Sequence, residues 1–271
     1  AAHMDEIRIV VSHLDRQGFA RFTNLGAVLP ATLLGARVRF ENGAIGVVGV
    51  ENQYTKRTNL PNLDGFFLDL PEDSGVQVGD PGAFAGETLW QGDRVIAKTL
   101  DDRLGCAGEI EAMRRLRQQG TPHTALFAFT VQEEVGSRGA LTGAFGVKPD
   151  FGIAIDVTST GDSPKPVPSA VTLGAGAAIK VRDMRHIVPA WVKDLMIARA
   201  EEAGVVYQID VSRLGSTDGA SIQLVHAGVP TGGISIPTRN VHTPSETALR
   251  GDIQAAIDLL VAVLSNPIER P

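Results

Sequence analysis

Residues 98–119 read KTLDDRLGCAGEIEAMRRLRQQ, and the organisation of the whole chain turns on this stretch. Leu104, Ala107, Ile110, Met113 and Leu116 recur at steps of three, the spacing of a helix with one buried stripe. Upstream, from about residue 6 to 97, no helical period appears. Short β-rich runs (RIVVSHL, GFARFTN, ARVRF, AIGVVGVE, GFFLDL, PGAFAG) are separated there by turn signals such as Glu41-Asn42-Gly43 and Gly79-Asp80-Pro81. That pattern predicts a small all-β barrel or sandwich. Downstream, ALFAFTV (125–131), FGIAID (151–156), VVYQIDV (205–211) and GGISI (232–236) read as strands. Helices are expected near 190–203, 218–227 and 252–265, the last with Ile253, Ile257, Leu260 and Leu264 on one face. Such alternation predicts an α/β fold with a mostly parallel sheet and helices on both faces. The expected organisation is therefore an α/β domain formed by residues 1–5 and 98–271, with a small all-β domain inserted at 6–97.

The bulk properties exclude several classes of function. The 271 residues are 43% hydrophobic and 21% charged, enough to bury a sizeable core. A net charge of −6 argues against nucleic-acid binding, because broad phosphate neutralisation has no source. MRRLRQQ at 113–119 reads as the wet face of a helix. A single cysteine, Cys106, allows no internal disulfide and fits a reducing, cytoplasmic location; its GCAG setting marks it as a small core residue. No apolar run is long enough to span a membrane. Asp5 and Glu6 stand where a signal peptide would be basic.

The chemistry collects where apolar strands end. VIAKTL runs into Asp101-Asp102, ALFAFTVQ into Glu133-Glu134, FGIAI into Asp156, and GGISIPTRNV into His242. Ligands of open α/β sheets bind in the crevice beyond the carboxyl ends of the strands. Carboxylates gathered there repel one another unless cations are present. Two divalent ions carry four positive charges, which three carboxylates and one hydroxide would cancel, so the charge count favours a binuclear site. Neighbouring strand residues point to opposite faces, so Glu133 and Glu134 can serve one site only where the strand has ended. A natural division of labour puts one glutamate on a metal and leaves the other to move a proton.

The runs HMDEI (3–7), KTLDDRLGC (98–106), VQEEVGSRGA (131–140), AIDVT (154–158), STDGA (216–220) and PTRNVHTPSE (237–246) together resemble the tetrahedral, dodecamer-forming aminopeptidases. That family includes glutamyl and deblocking aminopeptidases and relatives labelled endoglucanases, and the resemblance spans essentially the whole chain. It implies two divalent ions per subunit (zinc, cobalt or manganese), bridged by Asp101. Glu134 and His242 would complete one ion, and His3 and Asp156 the other. Glu133 would be the general base, and Asp5 would orient the His3 imidazole. The substrates implied are peptides with a free N-terminus, and the assembly implied is a dodecamer. Two features depart from the family pattern. The catalytic-domain segment that precedes HMDEI in the family does not stand before it here, which puts His3 at a chain end, where termini fray. Arg8 occupies a position where glycine is usual.

Structural readings compete at several of these positions. Asp102 can cap the helix that Asp101 opens. Thr243-Pro244-Ser245-Glu246 has the form of a capping box with proline at the first helical position. Asp218 stands open between site support and substrate contact, and His13, His123, His186 and His226 read as surface or core residues. Two other functions remain open: a truncated, non-catalytic homologue with a structural or regulatory role, and a metal-free glycosidase with an acidic pair. The glycosidase leaves His242 and Asp156 unexplained.

Overall fold

In the computed structural model, which describes residues 1–54 and 62–269, the β-rich segment closes into a barrel. After the two-residue strand β1 (Ala2–His3) come β2 (Arg8–Leu14), β3 (Ala20–Leu25), β4 (Arg37–Phe40), β5 (Ile45–Val50), β6 (Phe66–Asp69) and β7 (Pro81–Phe84). These six strands pair antiparallel in the order β2-β3-β6-β5-β4-β7, back to β2. Alternation sets which residues face inward. In β4, Val38 and Phe40 are buried while Arg37 and Arg39 face solvent. Ile9, Phe22, Leu33, Val38, Phe40, Val48, Phe66 and Leu68 fill the interior. Closure leaves no unpaired strand edge, which a small antiparallel sheet must otherwise protect. Gly43, at φ +89°, makes the β4–β5 turn with Asn42, whose side chain accepts the Ala44 N–H.

The rest of the chain builds an α/β layer. Its strands are β8 (Leu89–Gln91), β9 (Arg94–Ala97), β10 (Phe129–Thr130), β11 (Gly152–Ser159), β12 (Ala177–Arg182), β13 (Tyr207–Val211), β14 (Thr231–Arg239) and β15 (Glu246–Leu249). Its helices are α1 (Leu100–Gln119), α2 (Arg138–Val147), α3 (Ala190–Ala203), α4 (Gly219–Ile222) and α5 (Arg250–Leu264). The α/β class and an inserted barrel agree with expectation, but the barrel strands end at Phe84: β8 and β9, expected within the 6–97 β domain, pair into the α/β sheet. The sheet is mixed, however, and not mostly parallel. Only β11–β14 and β12–β13 run parallel within it, whereas β12–β14, β14–β15, β15–β9 and β9–β8 are antiparallel. The cause is connectivity: β14 returns directly as β15, and β8 and β9 form a hairpin, with no room for crossover helices.

Side-chain alternation along β11 sorts the helices onto two faces. Ile155 joins the large cluster shared with α1, α3 and α5, together with Ile179, Ile234 and Ile236. Gly152, on the opposite face, lies under Ile222 of α4, and α2 packs on α4. Asp156 shares the face of Gly152 and is thereby turned away from the apolar core.

Three local expectations need correction. Beyond its first turn, the buried face of α1 consists of Gly105, Cys106, Gly108, Glu109, Ala112 and Leu116, while Ala107 and Ile110 face outward. Small residues win because the helix lies close on β11: a Cβ on Gly108 would stand 3.1 Å from the Ile155 side chain. The strand expected at 125–131 shrinks to Phe129–Thr130, which pairs with β1 alone. The helix expected near 218–227 is the four-residue α4, and α2 has no counterpart among the expected helices. Among the described residues no helix is long and apolar enough to cross a membrane.

Ile234 lies fully buried in β14 between β11 and β12. Ile234→Ala should cost roughly 2–5 kcal/mol of stability, as truncation of packed core residues does. A denaturant titration showing a loss below about 1 kcal/mol would contradict this strand's central place.

Candidate metal centre

Five segments from distant parts of the chain meet at one point, and Asp101 is their centre. Its Oδ1 lies 3.0 Å from His3 Nε2, and its Oδ2 lies 3.1 Å from His242 Nε2. The carboxylate is thus held between two imidazoles, one oxygen for each. On the His3 side Asp156 Oδ1 is 3.9 Å from the same Nε2; on the other side Glu134 Oε2 is 3.4 Å from His242 Nε2. The five residues form two half-sites that share one carboxylate.

Local backbone features place each group. Thr99 is left-handed (φ 61°), and Asp101 and Asp102, joined by a cis peptide, have non-helical backbone angles. Asp102, fully buried, accepts the Gly105 N–H as a cap and the His3 N–H with its other oxygen. Gly105 is required here, because a Cβ would fall 2.4 Å from the Asp102 carboxylate. The loop after β10 is held from both ends. Gly139 N–H donates to Val131 O, and the Asp5 carboxylate accepts the N–H groups of Glu133 and Glu134. Ser137 donates its hydroxyl to Glu133 Oε1 at 2.8 Å.

The tautomers follow from the partners of the far ring nitrogens. A carbonyl can only accept, so Nδ1 of His3 donates to Asp5 O (3.1 Å) and Nδ1 of His242 donates to Ala27 O (3.2 Å). A neutral ring then presents a lone pair at Nε2, straight at a carboxylate oxygen. That contact is repulsive unless a proton or a metal cation lies between. Asp5 meets His3 Nδ1 with its main-chain oxygen at 3.1 Å and with its carboxylate at 3.7 Å, and the same carboxylate accepts the Glu133 and Glu134 N–H groups.

Without cations, the electrostatics are those of crowded acids. Burial raises Asp156 and Asp102 well above the usual carboxylate range, with neighbouring aspartates adding to the effect on each. Burial also raises Glu134, and it pushes Glu133 up to about 7. The two histidines move the other way from what burial favours. Hydrogen bonds to Asp101 and the surrounding negative charge outweigh burial, raising His3 strongly and His242 to about 11. Asp101 is lowered: burial opposes its charge, but hydrogen bonds from both imidazoles prevail. Among the described residues none of Asp101, Glu134 and Asp156 forms an ion pair with a lysine or arginine; their cationic partners are the two imidazoles. Glu134 Oε1 is buried with no hydrogen-bond partner. An orphaned carboxylate oxygen, two imidazole lone pairs aimed inward and several excess acids together fit divalent cations.

One acid at the site, Glu246, has a role that the sequence does not display. Glu246 does not complete a capping box: it opens β15, and its buried carboxylate accepts the N–H groups of His242 and Asp101. Burial, with the charge of Asp101, pushes it up to about 8. Its regular spacing after Thr243 masks this role. Asp218 is buried beside the centre, with one oxygen on the Thr130 hydroxyl and the other without a partner. His186 is a buried core residue, with Nε2 donating to Thr231 O.

Comparison with known proteins supplies the family. Residues 1–259 match the model of the M42 glutamyl aminopeptidases. A putative aminopeptidase of Acetivibrio thermocellus is 43% identical over 270 residues, covering 97% of this chain and 81% of the relative. Among solved structures, the TET aminopeptidase from Thaumarchaeota archaeon SCGC AB-539-E09 superimposes with a TM-score of 0.91 at 31% identity, over 97% of this chain and 80% of that one. The TET1 peptidase of Pyrococcus horikoshii, described as assembling into a tetrahedron or a large octahedral shell, gives 0.86 at 28% identity over 97% and 82%. Matched along almost all of its length in sequence and in fold, the chain belongs to the M42 glutamyl aminopeptidase family and is a metallo-aminopeptidase.

Proposed function

We propose that this aminopeptidase removes N-terminal residues from peptides at a binuclear centre in which Asp101 serves both ions. The observation that carries this reading is the Asp101 carboxylate with one oxygen on each imidazole. His3 and Asp156 would hold one ion, and Glu134 and His242 the other. Zinc, cobalt and manganese all suit such nitrogen and oxygen donors. When bound, divalent ions supply Lewis acidity, which polarises a carbonyl and makes water acidic enough to attack it near neutral pH.

The chain's own residues do the rest. Glu133 is the general base: it takes a proton from the attacking water and returns it to the departing amine. Its position is held by the Ser137 hydroxyl and by the grip of Asp5 on its backbone N–H. In the metal-free protein, burial pushes its carboxyl up to about 7. The surplus of acids around Asp101 suits the positive charge of a free peptide N-terminus, and acetylation would remove that charge.

TET relatives assemble into dodecamers, and we extend the same self-association to this chain, to be tested by its size in solution. A cytoplasmic setting is supported by the lone Cys106, buried with its thiol donating to His3 O. The glycosidase alternative loses its basis, because both acids nearest the centre are engaged by imidazoles and the family is one of aminopeptidases.

Glu133→Gln should lower kcat by roughly 10²–10⁴-fold while the bound metal is retained, measured by kinetics beside elemental analysis. Wild-type kcat in that variant would remove Glu133 from the mechanism. A second outcome concerns pH. In the metal-free protein Asp156, Glu134 and His242 all hold protons to higher pH than usual, and ligation must displace those protons. Metal affinity should therefore rise with pH, and binding should release protons. Calorimetry in buffers of different ionisation heat will read that release; an apparent enthalpy independent of buffer would contradict it.

A further inference from the structure

The two half-sites are built differently. On the His3 side, the ring's far nitrogen donates to the carbonyl of Asp5, two residues along the same segment. On the His242 side, the corresponding acceptor is Ala27 O, which belongs to the barrel. Ala27 lies in the turn leaving β3, and that turn is firmly held. Gly26 O accepts both the Asn24 side-chain amide, at 2.6 Å, and the Val28 N–H, at 3.0 Å, while Val28 is buried in the barrel core. With Gly26 O so engaged, the next carbonyl faces the imidazole.

The same turn lies against the other ligand of that half-site. Gly26 adopts φ +81°, and a Cβ there would stand 2.8 Å from Ile7 Cγ2, 3.1 Å from Glu134 Cβ and 3.1 Å from Glu134 Oε2. Glycine is thus required twice over, by its backbone conformation and by the closeness of Glu134. His242 itself is left-handed, at φ 63°, and its N–H is tied to Glu246. The ring is then held at Nε2 by Asp101 and Glu134 and at Nδ1 by the carbonyl that the barrel offers.

We propose that the Gly26–Ala27 turn is a positioning element for His242, so that one of the two ions is held firmly only while the barrel is seated on the α/β layer. The proposal rests on the binuclear reading of the centre. It makes the inserted barrel part of the metal centre: whatever shifts the barrel loosens one ion and spares the other. Groups that orient an imidazole ligand typically contribute 10–100-fold to metal affinity.

Three substitutions test this. Gly26→Ala introduces the clashing Cβ; Asn24→Ala removes one bond holding the turn and adds no atom, and so remains informative if the first variant fails to fold. Gly43→Ala is the control, since Gly43 has a similar positive φ at the β4–β5 turn but nothing within 4 Å of its would-be Cβ. The affinity of each zinc ion is read by chelator competition. In metal-free protein labelled with nitrogen-15 at histidine, the His242 Nδ1–H resonance reports the bond to Ala27. Gly26→Ala should weaken one ion about 10–100-fold, and Asn24→Ala should weaken the same ion less. Both should shift that resonance, with the second ion unchanged and the control like wild type. Wild-type affinity for both ions in Gly26→Ala and Asn24→Ala, or equal loss of both, would overturn the proposal alone. Fewer than two ions in the wild type would overturn the binuclear reading and this proposal with it.

Discussion

One carboxylate between two imidazoles is the constraint around which this structure is arranged. Asp101 reaches His3 with one oxygen and His242 with the other, and its own N–H is held by Glu246. Nothing else in the fold explains why so many acids are brought together. Burying Asp102, Glu134, Asp156 and Glu246 beside Asp101 drives each of the four above its usual pKa, a cost that metal ions would offset. The imidazoles meet the same demand from the other side, each with its Nδ1–H bound to a carbonyl and its Nε2 turned inward.

The fold meets that constraint with unequal means. The ends of β10 and β14 lead toward Glu133 and His242, and the start of α1 delivers Asp101, whereas Asp156 stands inside β11 on the face turned from the apolar core. Backbone conformations that most residues avoid cluster at the same place: Thr99, Gln132, Ser137, Asn240 and His242 all have positive φ. Strain of this kind persists only where the surroundings hold it, and here hydrogen bonds accepted by Asp5, Glu246 and Ala27 do so. The barrel, which has its own closed sheet and its own core, reaches the centre at its Gly26–Ala27 turn.

Much of this is legible in the sequence, and the exceptions have definite causes. The barrel announces itself through alternating runs such as ARVRF, and the α/β layer through the change of period at residue 98. Glu133, Glu134, Asp156 and His242 stand out because each follows an apolar strand. His3 and Asp5 come from motif resemblance, and the Asp5 hold on the Glu133–Glu134 backbone, 128 residues away, is a long-range contact that no sequence displays. A mostly parallel sheet is the wrong expectation because strand pairing depends on connections: β14 and β15 look like any two strands until the turn between them is seen. Glu246 is hidden by a local pattern that fits a helix start equally well, and long-range bonds to Asp101 and His242 decide otherwise. The buried face of α1 is obscured because glycines carry no hydropathy signal although they permit the closest approach.

The central claim is that Asp101 belongs to both half-sites at once, and the affinity of Asp101→Asn for zinc tests it most directly. The substitution keeps the shape of the side chain and removes its charge. Zinc bound per chain, titrated against a competing chelator, should show both ions weakened together relative to wild type. If Asp101→Asn keeps one ion at wild-type affinity and loses only the other, the carboxylate serves a single metal and the two half-sites do not share it.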